Sequence, residues 1–274
     1  MIKYFKGNKK ILLLSICIFL LIHMMKIANY YPNWDSMYAI VKYGFSGLSS
    51  GRWFSGISLL ILSSAYDLQW VNGAISSIFF SLTISLLINL YTIKKRFYCF
   101  IAIVLFAVFP SMASTLTYFT SPANMFALFL SVLGVYLCIM QSDRKRVFAA
   151  ILCFGFSLGI YQIYIFTAII AFLYYVGNKL LDCEENIYDM KKTVFRFLIS
   201  IIGGGGLYWL INSLLIKLYN YEITSYQGIS EVGIMTLYEY ALALKKMIKQ
   251  ICIFFLGVNS ITIYGIINIF IIII

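Results

Sequence analysis

Asp35 and Arg52 are the two side chains of this sequence whose types and setting best suit chemistry. They lie in an aromatic, glycine-rich stretch, Asn29 to Met37 followed by Tyr43 to Trp53, between apolar runs. A carboxylate beside a bilayer is partly desolvated and so a stronger base toward a hydroxyl. A guanidinium presents a planar fork that matches phosphate oxygens. A plainer account is also open, with Asp35 capping a short helix that starts at Ser36 and Arg52 anchoring among lipid headgroups.

Four neighbours are candidate substrate-binding residues: Trp34 and Trp53 flanking the pair, and Tyr161 and Gln162 further along. The aromatics equally suit an interfacial belt, and the Tyr161–Gln162 pair can serve to satisfy backbone freed at a helix break. Asp67, just before Leu68, is the candidate second acid, with helix capping as its alternative. His23, beside Met24 and Met25, reads as a packed imidazole rather than a proton relay. The six cysteines are scattered without a CxxC pair or a companion His set, so neither disulfides nor a metal site is expected. No Walker loop, dinucleotide fingerprint or GxSxG elbow is present, so the sequence offers no nucleotide site and calls for no cofactor.

The elements that must position these residues follow from composition. Of 274 residues, 62% are apolar and 11% charged, with mean hydropathy +0.91. A soluble core of this size cannot hide that much apolar surface, so the bilayer is the solvent. The net charge of +11 resides in short clusters between apolar runs. Positive-inside sorting explains that pattern better than nucleic acid does, and it puts the N-terminus in the cytoplasm.

The expected architecture is an all-α, polytopic transmembrane bundle of about eight segments. Ile11 to Met25 reads as an uncleaved first span, and residues 26–70 as a first outer loop in which Phe54 to Leu62 forms an interfacial or re-entrant helix. Val71 to Tyr91 returns, Phe97 to Ala113 exits, and Met125 to Met140 comes back. Val147 to Gly177 is too long for one span and has basic clusters at both ends. It is therefore read as two short helices that break near Gly159 to Gln162 at the outer surface. Asn178 to Arg196 reads as a charged cytoplasmic loop, and Phe197 to Ile216 as a span whose Gly203 to Gly206 serve close packing. Residues 217–249 form a second large outer loop holding a surface-lying amphipathic helix marked by Leu237, Tyr240, Ala241, Leu244 and Ile248. The chain, read as one transmembrane domain over 1–274, stops inside an apolar run, Ile251 to Ile274, which suggests a C-terminal truncation.

The order Asn33–Trp34–Asp35, then Gly47 to Trp53, then Trp70 to Gly73, then Leu158 to Gln162, resembles the polytopic glucosyltransferases of phage serotype conversion. The likeness spans about residues 10 to 175. It implies a GT-C-like membrane enzyme that moves glucose from a polyprenyl-phosphate carrier onto O-antigen or another envelope polysaccharide outside a bacterial cytoplasmic (inner) membrane. By that resemblance Asp35 is the base on the acceptor hydroxyl and Arg52 steadies the departing polyprenyl phosphate. The implied partners are the lipid-linked sugar, the polysaccharide acceptor and membrane lipids, with no metal or nucleotide. The competing expectations are a lipid-linked sugar flippase or transporter, and an inactive truncated paralogue.

Overall fold

The computed structural model describes residues 8–29, 31, 47–63, 68–140, 143–182, 187–220, 222 and 236–256. All regular structure among them is helical. Asp35, Trp34 and Asp67 fall outside the described residues, as does the apolar run from residue 257 onward. The chain divides into two compact units, 1–222 and 223–274.

In the first unit the helices are α1 (Lys9–Ile22), α2 (Met24–Ala28), α3 (Ser55–Ser63), α4 (Gln69–Leu90), α5 (Arg96–Val108), α6 (Pro110–Thr115), α7 (Ser121–Ile139), α8 (Arg144–Ile160), α9 (Tyr164–Asp182) and α10 (Ile187–Tyr219). At the centre is α7, apolar on every side, as suits a helix surrounded by others. It packs against α3, α4, α8, α9 and α10, while α1 lies on α4 and α5. Phe80, Phe154, Met125, Val132 and Val135 fill the shared core.

Four described helices are long and apolar enough to cross a membrane: α4, α7, Tyr164–Leu181 of α9 and Asp189–Tyr219 of α10. Their outward faces carry Phe166, Ile170, Leu173, Ile202, Trp209 and Leu210, all exposed. Apolar faces of that extent on helices long enough to cross a bilayer suit contact with lipid. The protein is thus an all-helical membrane protein. The helix of the first apolar run has 14 residues and α5 has 13, both shorter than a full crossing.

Between helices, hydroxyls replace the hydrophobic effect as a source of specificity. The Ser81 hydroxyl donates to the Leu12 carbonyl at 2.9 Å and that of Ser15 to Ser81 at 3.0 Å, joining α1 to α4. The Ser157 hydroxyl donates to the Ala127 carbonyl at 2.9 Å, joining α8 to α7. His23, at the break between α1 and α2, is a packed imidazole: Nε2 donates to the Ala107 carbonyl at 3.0 Å, and the ring meets Phe19 edge-on.

Several boundaries differ from the sequence reading. Phe97 to Ala113 is not one helix, because Phe109 precedes Pro110 and adopts extended backbone, after which Pro110 opens α6. A residue before proline is driven from the helical region by the ring, and proline suits the first turn of the next helix. The charged stretch Asn178 to Arg196 is largely helical, with α9 running to Asp182 and α10 starting at Ile187. Its Lys, Asp and Met are compatible with helix, and Arg196 gives the extension an anchor: Nη1 donates to the Met140 carbonyl at the end of α7, at 2.8 Å. The 33 residues of α10 span roughly 50 Å, so this helix projects beyond a hydrocarbon core.

In the second unit, α11 (Leu237–Leu256) confirms the helix read from the spacing of Leu237 to Ile248 and extends it past Lys249. Its start is a capping box. The Thr236 backbone N–H and hydroxyl donate to Glu239 Oε2 at 2.7 and 2.8 Å. These donors, the backbone amide first, hold the Glu239 carboxyl below its ordinary value. A carboxyl whose pKa is depressed by folding stabilises above its unfolded pKa and ceases to do so as pH falls through the lowered one. Amide protection at residues 237–240 is therefore expected to hold at neutral pH and to drop as the pH falls below the ordinary glutamate range, measured as exchange rates corrected for intrinsic chemistry. The variant Glu239→Gln should show no such drop, and an equal drop in the variant would remove the box as its cause.

Candidate functional site

The site end of the bundle is built on a tight loop. Gly47 to Gly51 form a single 3-10 turn, with the Arg52 N–H donating to the Gly47 carbonyl at 2.7 Å. Gly51 closes it at φ 74°, a left-handed conformation that glycine adopts at little cost. A Cβ there would collide with the Tyr208 hydroxyl, so Gly51 is required for close approach as well as for the turn.

The loop is then clamped to the break between α8 and α9. The Phe54 N–H donates to the Gly159 carbonyl at 2.8 Å. Trp53, 6% exposed, lies over Gly159 so tightly that a Cβ there would come within 2.7 Å of the indole. Phe54 and Phe156 pack at 4.7 Å between ring centroids. At the break itself Tyr161 is extended, and Gln162 projects back across the loop. Its Nε2 donates to the Ser50 carbonyl at 2.9 Å and to the Tyr208 hydroxyl at 3.0 Å.

Arg52 is half-buried, with its guanidinium carbon 4.3 Å from the centroid of the Tyr161 ring. Stacking on an aromatic face orients the fork and compensates part of its desolvation. Its Nε and the Trp53 Nε1 are buried and have no hydrogen-bond partner among the described residues. Such donors next to a stacked guanidinium suit an anionic or hydroxyl-rich ligand.

Four of the residues singled out from sequence, Arg52, Trp53, Tyr161 and Gln162, are therefore gathered in one place, and the helix break expected near Gly159 to Gln162 is present. Tyr208 was not singled out. It lies on α10 one turn beyond Gly204, which brings α10 against α8: a Cβ on Gly204 would meet the Gly155 backbone nitrogen at 3.1 Å. No signal in the sequence pointed to it, because which glycine of Gly203 to Gly206 sets the contact is visible only in the packed helices. Among the described residues no three His, Cys, Asp or Glu side chains gather where they could hold a metal.

The site also has a definite end of the bundle. Helix α8 begins with Arg144, Lys145 and Arg146 and finishes at the Tyr161 break. Likewise α10 begins near Lys191, Lys192 and Arg196 and carries Tyr208 further along. The Arg52 loop thus lies at the opposite end from these basic clusters.

A helical membrane protein with a fixed arginine loop at one end of its bundle is the class that fold and site define. The chain belongs to the glucosyl transferase GtrII family, whose model matches residues 24–274. No curated protein and no solved structure matches it.

Gln162 is the crosspiece of this arrangement. Gln162→Leu leaves the Ser50 carbonyl and the Tyr208 hydroxyl without their donor, and is expected to destabilise the loop by about 1–3 kcal/mol. Faster amide exchange over residues 48–54 would register this; unchanged exchange would show that Trp53 and the Phe54 bond suffice.

Proposed function

We propose that the protein transfers glucose from a polyprenyl-phosphate donor to a polysaccharide or other envelope acceptor, at the outer face of a bacterial cytoplasmic membrane. The observation that carries this reading is the stacked, half-buried Arg52 in a loop locked to the Tyr161–Gln162 break. The acceptor oxygen forms a bond to the anomeric carbon as the carbon–oxygen bond to the carrier phosphate breaks. Asp35 takes the hydroxyl proton, and Arg52 receives the charge that develops on the leaving phosphate. Trp34, Trp53, Tyr161 and Gln162 line the sugar's place, and Asp67 is a second acid at the same face. The reaction draws on a lipid-linked donor, with no nucleotide or metal assigned a role.

Positive-inside sorting supports the orientation: the basic ends of α8 and α10 in the cytoplasm set the Arg52 loop outside, with the N-terminus inside. On this reading the chain forms a GT-C-like fold with about eight membrane segments, counting the short α1–α2 and α5–α6 pairs and the last apolar run. Residues 26–70 and 217–249 are then outer loops, with α11 lying on the membrane surface.

The test is transfer of radiolabelled glucose from polyprenyl-phosphate glucose to surface polysaccharide by membranes holding wild type or Asp35→Asn at matched levels. Transfer by wild type that falls at least about a hundredfold in the variant is expected. Wild-type protein that is inserted yet moves no glucose, but lets the lipid-linked sugar cross the bilayer, would replace the enzyme by a flippase.

A further inference from the structure

At the opposite end of the bundle from Arg52, a cavity of about 820 Å³ opens between the start of α1, the end of α4 and the start of α5. Lys9, Lys10, Lys94 and Arg96 line it together with Asn8, Asn89 and Thr92, and among the described residues no carboxylate does. Two helix N-termini converge there, those of α1 and α5, and neither has a side-chain cap. Uncapped N-terminal amides and four cations around one space suit an anion. Positive-inside sorting accounts for basic residues at this end, but not for two uncapped termini and a cavity shared among them.

Ile88 lines this cavity and also an apolar groove of about 370 Å³ between α4, α5 and α9. The groove runs along Leu87, Leu105, Phe106, Phe109 and Ile170, and it is almost wholly apolar. A basic space followed by an apolar one suits an amphiphile with an anionic head. We infer that this end of the bundle holds a membrane lipid with a net anionic phosphate headgroup, the headgroup among Lys9, Lys10, Lys94 and Arg96 and one chain in the groove. This site is separate from the Arg52 loop and does not depend on the reaction assigned to it.

Native mass spectrometry of the detergent-purified full chain tests this, with dioleoyl phosphatidylglycerol or dioleoyl phosphatidylcholine added as probe. Wild type should retain the anionic lipid at least tenfold more strongly than the zwitterionic one. The pairs Lys94→Gln with Arg96→Gln, and Lys9→Gln with Lys10→Gln, should each lower retention about tenfold. These side chains are exposed, so the fold should survive, and unchanged retention by both pairs would overturn the inference. The pair Lys191→Gln with Lys192→Gln, which removes equal charge from the start of α10, should change nothing. An equal loss there would mean diffuse attraction rather than a site. Inorganic phosphate at millimolar concentration should fail to displace the lipid; full displacement would leave a plain anion site and remove the lipid.

Discussion

Replacing Arg52 by alanine is expected to lower glucosyl transfer by about two to three orders of magnitude while the protein still inserts and folds. The loop does not depend on the guanidinium for its shape. Its turn is closed by backbone bonds from Arg52 and Gly51, its exit is held by the Phe54 N–H on Gly159, and Trp53 fills the space above Gly159. What the substitution removes is a cation stacked on Tyr161 whose Nε has no partner among the described residues. On the proposed reaction, that Nε is the donor to meet charge developing on the leaving phosphate. Arg52→Lys keeps the charge but loses the planar fork, so it should recover only part of the rate, about tenfold below wild type. Both variants are to be compared with Tyr161→Leu, which leaves the guanidinium but removes its platform and should raise KM for the lipid donor more than it lowers kcat. Alanine at position 52 with transfer within about threefold of wild type would reduce Arg52 to a headgroup anchor.

The helix break at Tyr161–Gln162 was legible because Val147 to Gly177 exceeds one membrane thickness and has basic residues at both ends, which leaves an even number of crossings as the simplest solution. The short helix at Ser55–Ser63 was legible for the opposite reason, an apolar run too short to cross. Hydropathy, however, reports which solvent a segment prefers and not whether its backbone is helical. That is why Asn178 to Arg196 was read as a loop though α9 and α10 run into it, and why α11 outruns the polar stretch that announced it. Pro110 carried a local steric signal for the break after Val108, which an apolar count over Phe97 to Ala113 averages away.

The site was partly legible, through the order of its motifs. Arg52, Trp53, Tyr161 and Gln162 stood in segments that resembled one family, and the fold draws those segments together. Tyr208 was invisible for a physical reason: its contact with Gln162 crosses 46 positions and exists only because α10 lies close against α8. No periodicity or motif encodes such a distance; four consecutive glycines encode only that some face comes close.

Which of those glycines matters is a prediction with a large expected effect on the fold. Gly204→Leu is expected to destabilise the bundle by about 1–3 kcal/mol or more, whereas Gly205→Leu should be nearly neutral. A Cβ at Gly204 would lie 2.6 Å from the Phe154 Cβ, 3.1 Å from the Gly155 nitrogen and 3.2 Å from the Ile151 carbonyl oxygen. Two of these are backbone atoms and the third is the root of a buried side chain, so no rotamer change relieves the contact and the helices must separate. Around Gly205 and Gly206 nothing lies within 4 Å, and added side chains there meet open space or lipid. Small residues at membrane helix contacts act in this way, by letting backbones approach. The measurement is the thermal midpoint in detergent of the two leucine variants, with transfer activity beside it. Because Tyr208 is one turn from Gly204, Gly204→Leu should also withdraw the hydroxyl from Gln162 and lower transfer at temperatures where the protein remains folded. Equal midpoints for the two variants would mean that the glycine run is a tolerance for curvature, and that the closeness of α8 and α10 is maintained by other contacts such as Phe154 on Phe197.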